Sequence, residues 1–85
     1  MPHISEKNVL WKEKNGIITV LQLSSGNFFE LNAVGSFVWK GLAEGKNADA
    51  IIHDMALVYD APREQITRDV QDFIRKMTAA GLLAA

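Results

Sequence analysis

Cysteine is absent from this 85-residue chain, and with it go disulfide staples, thiolate metal sites and cysteine nucleophiles. Histidine occurs only at His3 and His53. No pair of ligand types sits at a recognised metal-ligand spacing, so no metal and no cofactor are expected. His53 reads as a solvated histidine beside Asp54. Neither sign of charge is in excess: nine Lys and Arg against ten Asp and Glu give a formal net charge of -1. Such a surface has no global field to draw phosphates or anionic lipid, and no nucleic-acid or membrane partner is expected. Nowhere does an apolar run reach the roughly 18 residues that a membrane span needs, and residues 1–7 lack the apolar stretch of a secretory signal. A cytoplasmic setting is the expectation. The serines at 5, 24, 25 and 36 have no neighbouring base in a nucleophile-elbow pattern, and no glycine cluster matches a phosphate-cradling loop. The chain is not expected to be an enzyme, and no catalytic residue is assigned.

What is present is the composition of an ordinary globular domain, 48% hydrophobic and 22% charged. Residues 1–8 read as a short tail and residues 9–83 as one domain. Val9 to Lys12 and Ile17 to Leu23 are strand-like runs separated by Asn15-Gly16, the dipeptide that supplies the positive φ angles of a tight hairpin. Within the second run Ile17, Thr19, Leu21 and Leu23 fall on one face, with Ile18 and Val20 on the other, as in a central strand covered on both sides. Ser24-Ser25-Gly26 supplies the next turn, and Asn27 to Leu31 returns as a third strand.

Beyond Leu31 the apolar period lengthens from 2 to about 3.6, the mark of helices. Asn32 caps a first helix with Val34, Phe37, Val38 and Leu42 on its apolar stripe; Trp39 lies off that stripe and leans towards the sheet. Gly45 ends it. Asn47 caps a second helix carrying Ala48, Ile51, Ile52, Met55, Val58 and Tyr59. Pro62 suits the first turn of a third and longest helix, with Ile66, Val70, Phe73, Ile74 and Met77 inward and Gly81 as its stop. The predicted fold class is α+β: a three-stranded antiparallel meander followed by three helices that bury one sheet face, a winged-helix-like β-β-β-α-α-α order.

The ordered set Gly26-Asn27-Phe28-Phe29-Glu30-Leu31-Asn32, then Gly35, Val38, Trp39, Leu42 and Gly45, then Tyr59, Asp69-Val70, Phe73-Ile74 and Gly81-Leu82-Leu83 resembles the PqqD family. Members are also called RiPP recognition elements, and the likeness runs from about Val9 to Leu83. The resemblance implies a non-catalytic protein that binds the leader of a ribosomally made precursor peptide. It presents that leader to a modifying enzyme, a radical SAM enzyme or a leader peptidase. It also implies that the leader lies as an added strand along Asn27, Phe28, Phe29, Glu30 and Leu31, facing Asp69, Phe73 and Lys76 on the third helix.

Physical chemistry supports such a site from the residues alone. A short third strand at the end of a meander has one unpaired row of backbone donors and acceptors. Ordering a five-residue guest costs on the order of 5–10 kcal/mol of backbone entropy, and four or five hydrogen bonds return only about 2–7 kcal/mol. Apolar anchors of roughly 1.5–3 kcal/mol each must close the gap, which gives a groove beside Phe28 or Phe29 and Phe73 its importance. Against this stand plainer readings: the three phenylalanines as core, and Asp69 as a solvated helix residue. Phe28 and Phe29 point to opposite faces of a strand, so at most one of them packs under the helices. Two other functions compete, a winged-helix DNA-binding regulator and a structural dimer subunit. The acidic residues Glu64, Asp69 and Asp72 interleaved on the third helix oppose phosphate contact, and a monomer or weak dimer is expected.

Overall fold

The computed structural model describes residues 2–84. In chain order the elements are β1 (His3–Ile4), β2 (Val9–Lys14), β3 (Ile17–Gln22), β4 (Phe28–Glu30), α1 (Ala33–Ala43), α2 (Ala48–Val58), α3 (Arg63–Ala79) and β5 (Leu83–Ala84). β2, β3 and β4 form an antiparallel sheet in that order, and β1 pairs with β5 in a second, two-stranded one. The meander followed by three helices is thus present. It is winged-helix-like only in a loose sense, because no strand of the main sheet follows α3.

The hairpin between β2 and β3 turns on Asn15 (φ 54°) and Gly16 (φ 82°), both left-handed as a type I′ turn demands. That turn sets the β2–β3 register, the turn through Gly26 (φ 75°) sets that of β3 and β4, and together they sort the side chains. Trp11, Val20 and Phe29 stand opposite one another in one row, and Leu10, Leu21 and Phe28 in the next. Ile18 and Val20 are fully buried, so their face lies under the helices. The Leu10–Leu21–Phe28 row is on the other face.

Helix ends follow their residues. Asn32 Oδ1 accepts from the Gly35 N–H at 2.8 Å and Asn47 Oδ1 from the Ala50 N–H at 2.9 Å. Gly45 closes α1 in a Schellman pattern, with Gly45 N–H to Leu42 O and Lys46 N–H to Gly41 O. Gly81 closes α3 in the same way. Pro62 stands one position earlier than expected, as the N-cap of α3, its carbonyl accepting from the Ile66 N–H.

Two expectations are revised, for Val58 and for the N-terminal stretch, whereas Trp39 leans towards the sheet as expected: it meets Trp11 edge-on at 6.3 Å and 75° and is the largest fully buried side chain. α1 packs against the sheet on one side and against α2 and α3 on others, so its buried face is wider than a single stripe. Val58 is 68% exposed, because α2 stops there and Tyr59 turns into extended backbone to meet Phe37 edge-on at 5.9 Å. At the N-terminus, the stretch expected as a tail carries β1: Ile4 is buried, and the Ser5 N–H donates to Leu82 O. An isoleucine placed beside Leu82 and Leu83 has apolar surface to hide, and the C-terminal backbone offers it a strand partner.

Ser36 is the one buried polar side chain among the described residues. Its Oγ accepts from the Ile18 N–H at 2.9 Å and donates to Leu31 O at 3.3 Å. α1 is thereby fastened to the end of the β3–β4 ladder. No helix of the described residues is long and apolar enough to cross a membrane.

Replacing Ser36 by Ala leaves the buried Ile18 N–H without its partner, and should lower unfolding free energy by about 1–3 kcal/mol. Urea unfolding checks this; an unchanged midpoint would mean that Ile18 reaches the Leu31 carbonyl without help.

Candidate functional site

β4 is a three-residue strand with a partner on one side only. The Gln22 N–H donates to Asn27 O and the Leu31 N–H to Ile18 O, each at 2.9 Å. Antiparallel pairing alternates, so Asn27, Phe29 and Leu31 direct their backbone groups to β3. Phe28 and Glu30 direct theirs outward, where no further strand lies among the described residues. This is an open template for strand addition.

Facing that edge is α3. Asp69, Asp72, Phe73 and Lys76 recur at i, i+3, i+4 and i+7 and share one side of the helix, while Ile66 and Val70 point into the core. Phe73 is half-buried and seated on bare backbone: a Cβ added at Gly35 would lie 2.8 Å from Phe73 Cε1. Only glycine lets α1 approach the ring so closely.

Between edge and helix runs a cavity of about 480 Å³ lined by Glu30, Leu31, Asn32, Val34, Gly35, Asp69, Asp72, Phe73, Lys76 and Met77. Its floor is apolar and its rim is charged. The lining includes the carboxylates of Glu30, Asp69 and Asp72 and the ammonium of Lys76, and Asp72 pairs with Arg75 at 3.0 Å.

Of the residues expected here, Glu30, Leu31, Asp69, Phe73 and Lys76 come together in the cavity wall. Asn27, Phe28 and Phe29 do not line it. Asn27 is exposed just before β4, its N–H donating to Ser25 Oγ. Phe29 is half-buried against the core, as its plainer reading had it, and Phe28 is 71% exposed on the opposite sheet face. Leu31 contributes to the wall while itself buried. Sequence reasoning did not assign Val34, Asp72 and Met77 to the site. Asp72 and Met77 follow from Asp69 and Phe73 by helical period, three and four residues on.

A strand edge with outward backbone groups, an aromatic floor and a charged rim is suited to holding an extended peptide. The family model described as coenzyme PQQ synthesis protein D (PqqD) matches residues 18–83. The chain belongs to the PqqD family. The matched span holds β3 from its second residue, β4 and all three helices, and so every wall of the groove. Among solved structures, "TbiB1 in Complex with the TbiA(beta) Leader Peptide" is similar at 32% identity, covering 98% of this chain and 95% of that one with a TM-score of 0.92. "Lasso peptide synthetase B1 complexed with the leader peptide" shares the fold, with a TM-score of 0.89 over 99% of this chain and 98% of that one, at 14% identity. No curated protein sequence matches significantly. In this PqqD-family chain, β1 and β2 lie outside the family match yet inside the structural ones.

Gly35→Ala should drive the Phe73 ring from its seat, lowering stability by about 1–3 kcal/mol despite the better helix former. In a double-mutant cycle with Phe73→Leu most of that penalty should vanish, since Cε1, the atom in closest conflict, is gone. Additive penalties would show that Gly35 serves some other neighbour.

Proposed function

We propose that the protein binds the leader segment of a ribosomally made precursor peptide and presents it to a modifying enzyme, a radical SAM enzyme or a leader peptidase. The observation that carries this reading is the unpaired β4 edge set against the Phe73 wall of α3, within a fold whose 32%-identical relative was solved with a leader peptide. The guest lies antiparallel to Asn27, Phe28, Phe29, Glu30 and Leu31. Its backbone pairs with the outward groups of Phe28 and Glu30, and alternate side chains enter the groove beside Asp69, Phe73 and Lys76.

Energetics explain the division of labour. Backbone pairing supplies direction and register for any sequence, whereas the ring of Phe73 and the neighbouring Met77 and Val34 supply the apolar burial that makes the balance favourable. Discrimination among peptides therefore resides in the groove. The rim carboxylates add a preference for guests without acidic residues at the α3 side, since like charges set side by side destabilise. Binding along a single edge leaves the rest of the precursor in solvent, within reach of an enzyme that performs the chemistry.

Titrating the 15N-labelled protein with the TbiA(beta) leader peptide, and with a pool of random extended peptides, should move the amides of residues 27–31 and 69–76. If bound peptide perturbs α2 and leaves those two segments silent, the placement is wrong. Phe73→Ala should weaken binding about tenfold or more, the equivalent of losing one apolar anchor of roughly 1.5–3 kcal/mol. Thermal unfolding of the same variant separates that loss from damage to the fold.

A further inference from the structure

We infer that the guest strand is read on both faces of the sheet: beyond the side chain that enters the groove, a second apolar side chain packs on Phe28 outside it. The inference rests on the leader-binding reading and specifies the guest chemistry that β4 accepts. A cognate segment carries two apolar residues of opposite strand phase, adjacent or three apart.

Phe28 is 71% exposed, and its neighbour across the sheet, Leu10, is 60% exposed. Together with half-buried Leu21 they form one cross-strand row on the face away from the helices. Beside the row is a second cavity of about 240 Å³, lined by Leu10, Trp11, Lys12, Thr19, Leu21 and Phe28. The leader groove does not account for this row.

Strand geometry says what covers its end. The backbone groups of Phe28 point outward along the open edge, so a paired guest residue comes to stand directly opposite it. In a pleated sheet the side chains of directly opposed residues project to the same face, with Cβ atoms about 4.5–5.5 Å apart. The guest residue opposite Phe28 therefore extends the Leu10–Leu21–Phe28 row by one member, while its neighbours turn inward towards Phe73. One guest strand covers both features, because the two features flank the same edge. The far end of the row, Leu10, lies on β2, which runs on from Trp11 into Lys12, Glu13 and Lys14, so a strand added along that edge meets charge within two residues of Leu10.

The test is a display selection of random 12-residue peptides on the intact protein and on its Phe28→Thr variant. Threonine suits an exposed strand position, and circular dichroism confirms that the variant is folded. Peptides selected on the parent should show apolar enrichment at two positions of opposite phase, and those selected on Phe28→Thr at one. Parent-selected peptides should bind Phe28→Thr about three- to tenfold more weakly, while still shifting the amides of residues 29–31 and 69–76. Peptides that shift those amides yet show no outward-phase preference, or that bind both proteins equally, overturn the inference and leave leader binding standing. Selected peptides that leave those amides unmoved overturn both. If Phe28→Thr instead dissolves a dimer of the free protein, the row belongs to a second copy and the inference fails.

Discussion

The Ser36 hydroxyl governs the geometry on which the groove depends. Inserted between the Ile18 N–H and the Leu31 carbonyl, it takes the place of a direct ladder bond and ends the β3–β4 pairing there. The chain then leaves the sheet, Asn32 caps α1, and Gly35 comes to rest under Phe73. Within six residues the sequence Leu31-Asn32-Ala33-Val34-Gly35-Ser36 thus closes a strand, opens a helix and clears the seat of the main apolar wall. The Leu-Asn-x-x-Gly spacing has a physical meaning in these terms. Leucine fills the core, asparagine satisfies a helix N–H, and glycine admits a ring that any side chain would exclude.

The sheet has two edges, and only one is suited to a guest. β2 presents Lys12, Glu13 and Lys14 in succession, with Glu13 engaged by Lys40 at 2.9 Å. A strand pairing along this half of β2 would meet charges on both faces of the sheet. Such protection of edges against unwanted pairing is common in natural sheets. β4 is short and borders α3, so its exposed backbone is matched to a groove that contributes the apolar burial an isolated edge lacks. Openness on one side and charge on the other restrict a sticky architecture to a single edge.

Much of this arrangement was legible in the amino-acid sequence, and the remainder was hidden for identifiable reasons. The Asn15-Gly16 turn, the switch of apolar period after Leu31 and the caps at Asn32 and Asn47 are local signals, and each element they mark is present. β1 and β5 were invisible because each is two residues long and exists only through pairing across the whole chain. The lean of Trp39 towards the sheet, where it meets Trp11, was legible, but its full burial was not, because a period counts one face, whereas α1 is enclosed from several directions. At the site, Asp69, Phe73 and Lys76 follow from helical spacing. The separation of Phe28 from Phe29 was foreseen, but which of them faced the helices depended on the β3–β4 register, set by the turn that closes at Gly26 (φ 75°).

That same register explains why the pattern can survive great divergence in sequence. A structure with 14% identity superposes with a TM-score of 0.89, so few individual side chains are needed for the fold itself. What must persist is the order of a twisted meander, a strand end spliced to a helix, and a third helix laid across the open edge. Fold alone does not dictate the ligand. On the proposed reading, the groove's composition, apolar at Val34, Phe73 and Met77 and acidic at Glu30, Asp69 and Asp72, would select among peptides that any member of the architecture could pair with by backbone alone. Specificity is therefore free to change by substitution along one face of α3, without disturbing Ile66 and Val70 on its buried side. A scaffold that separates pairing from selection in this way can acquire new guests while its core stays fixed.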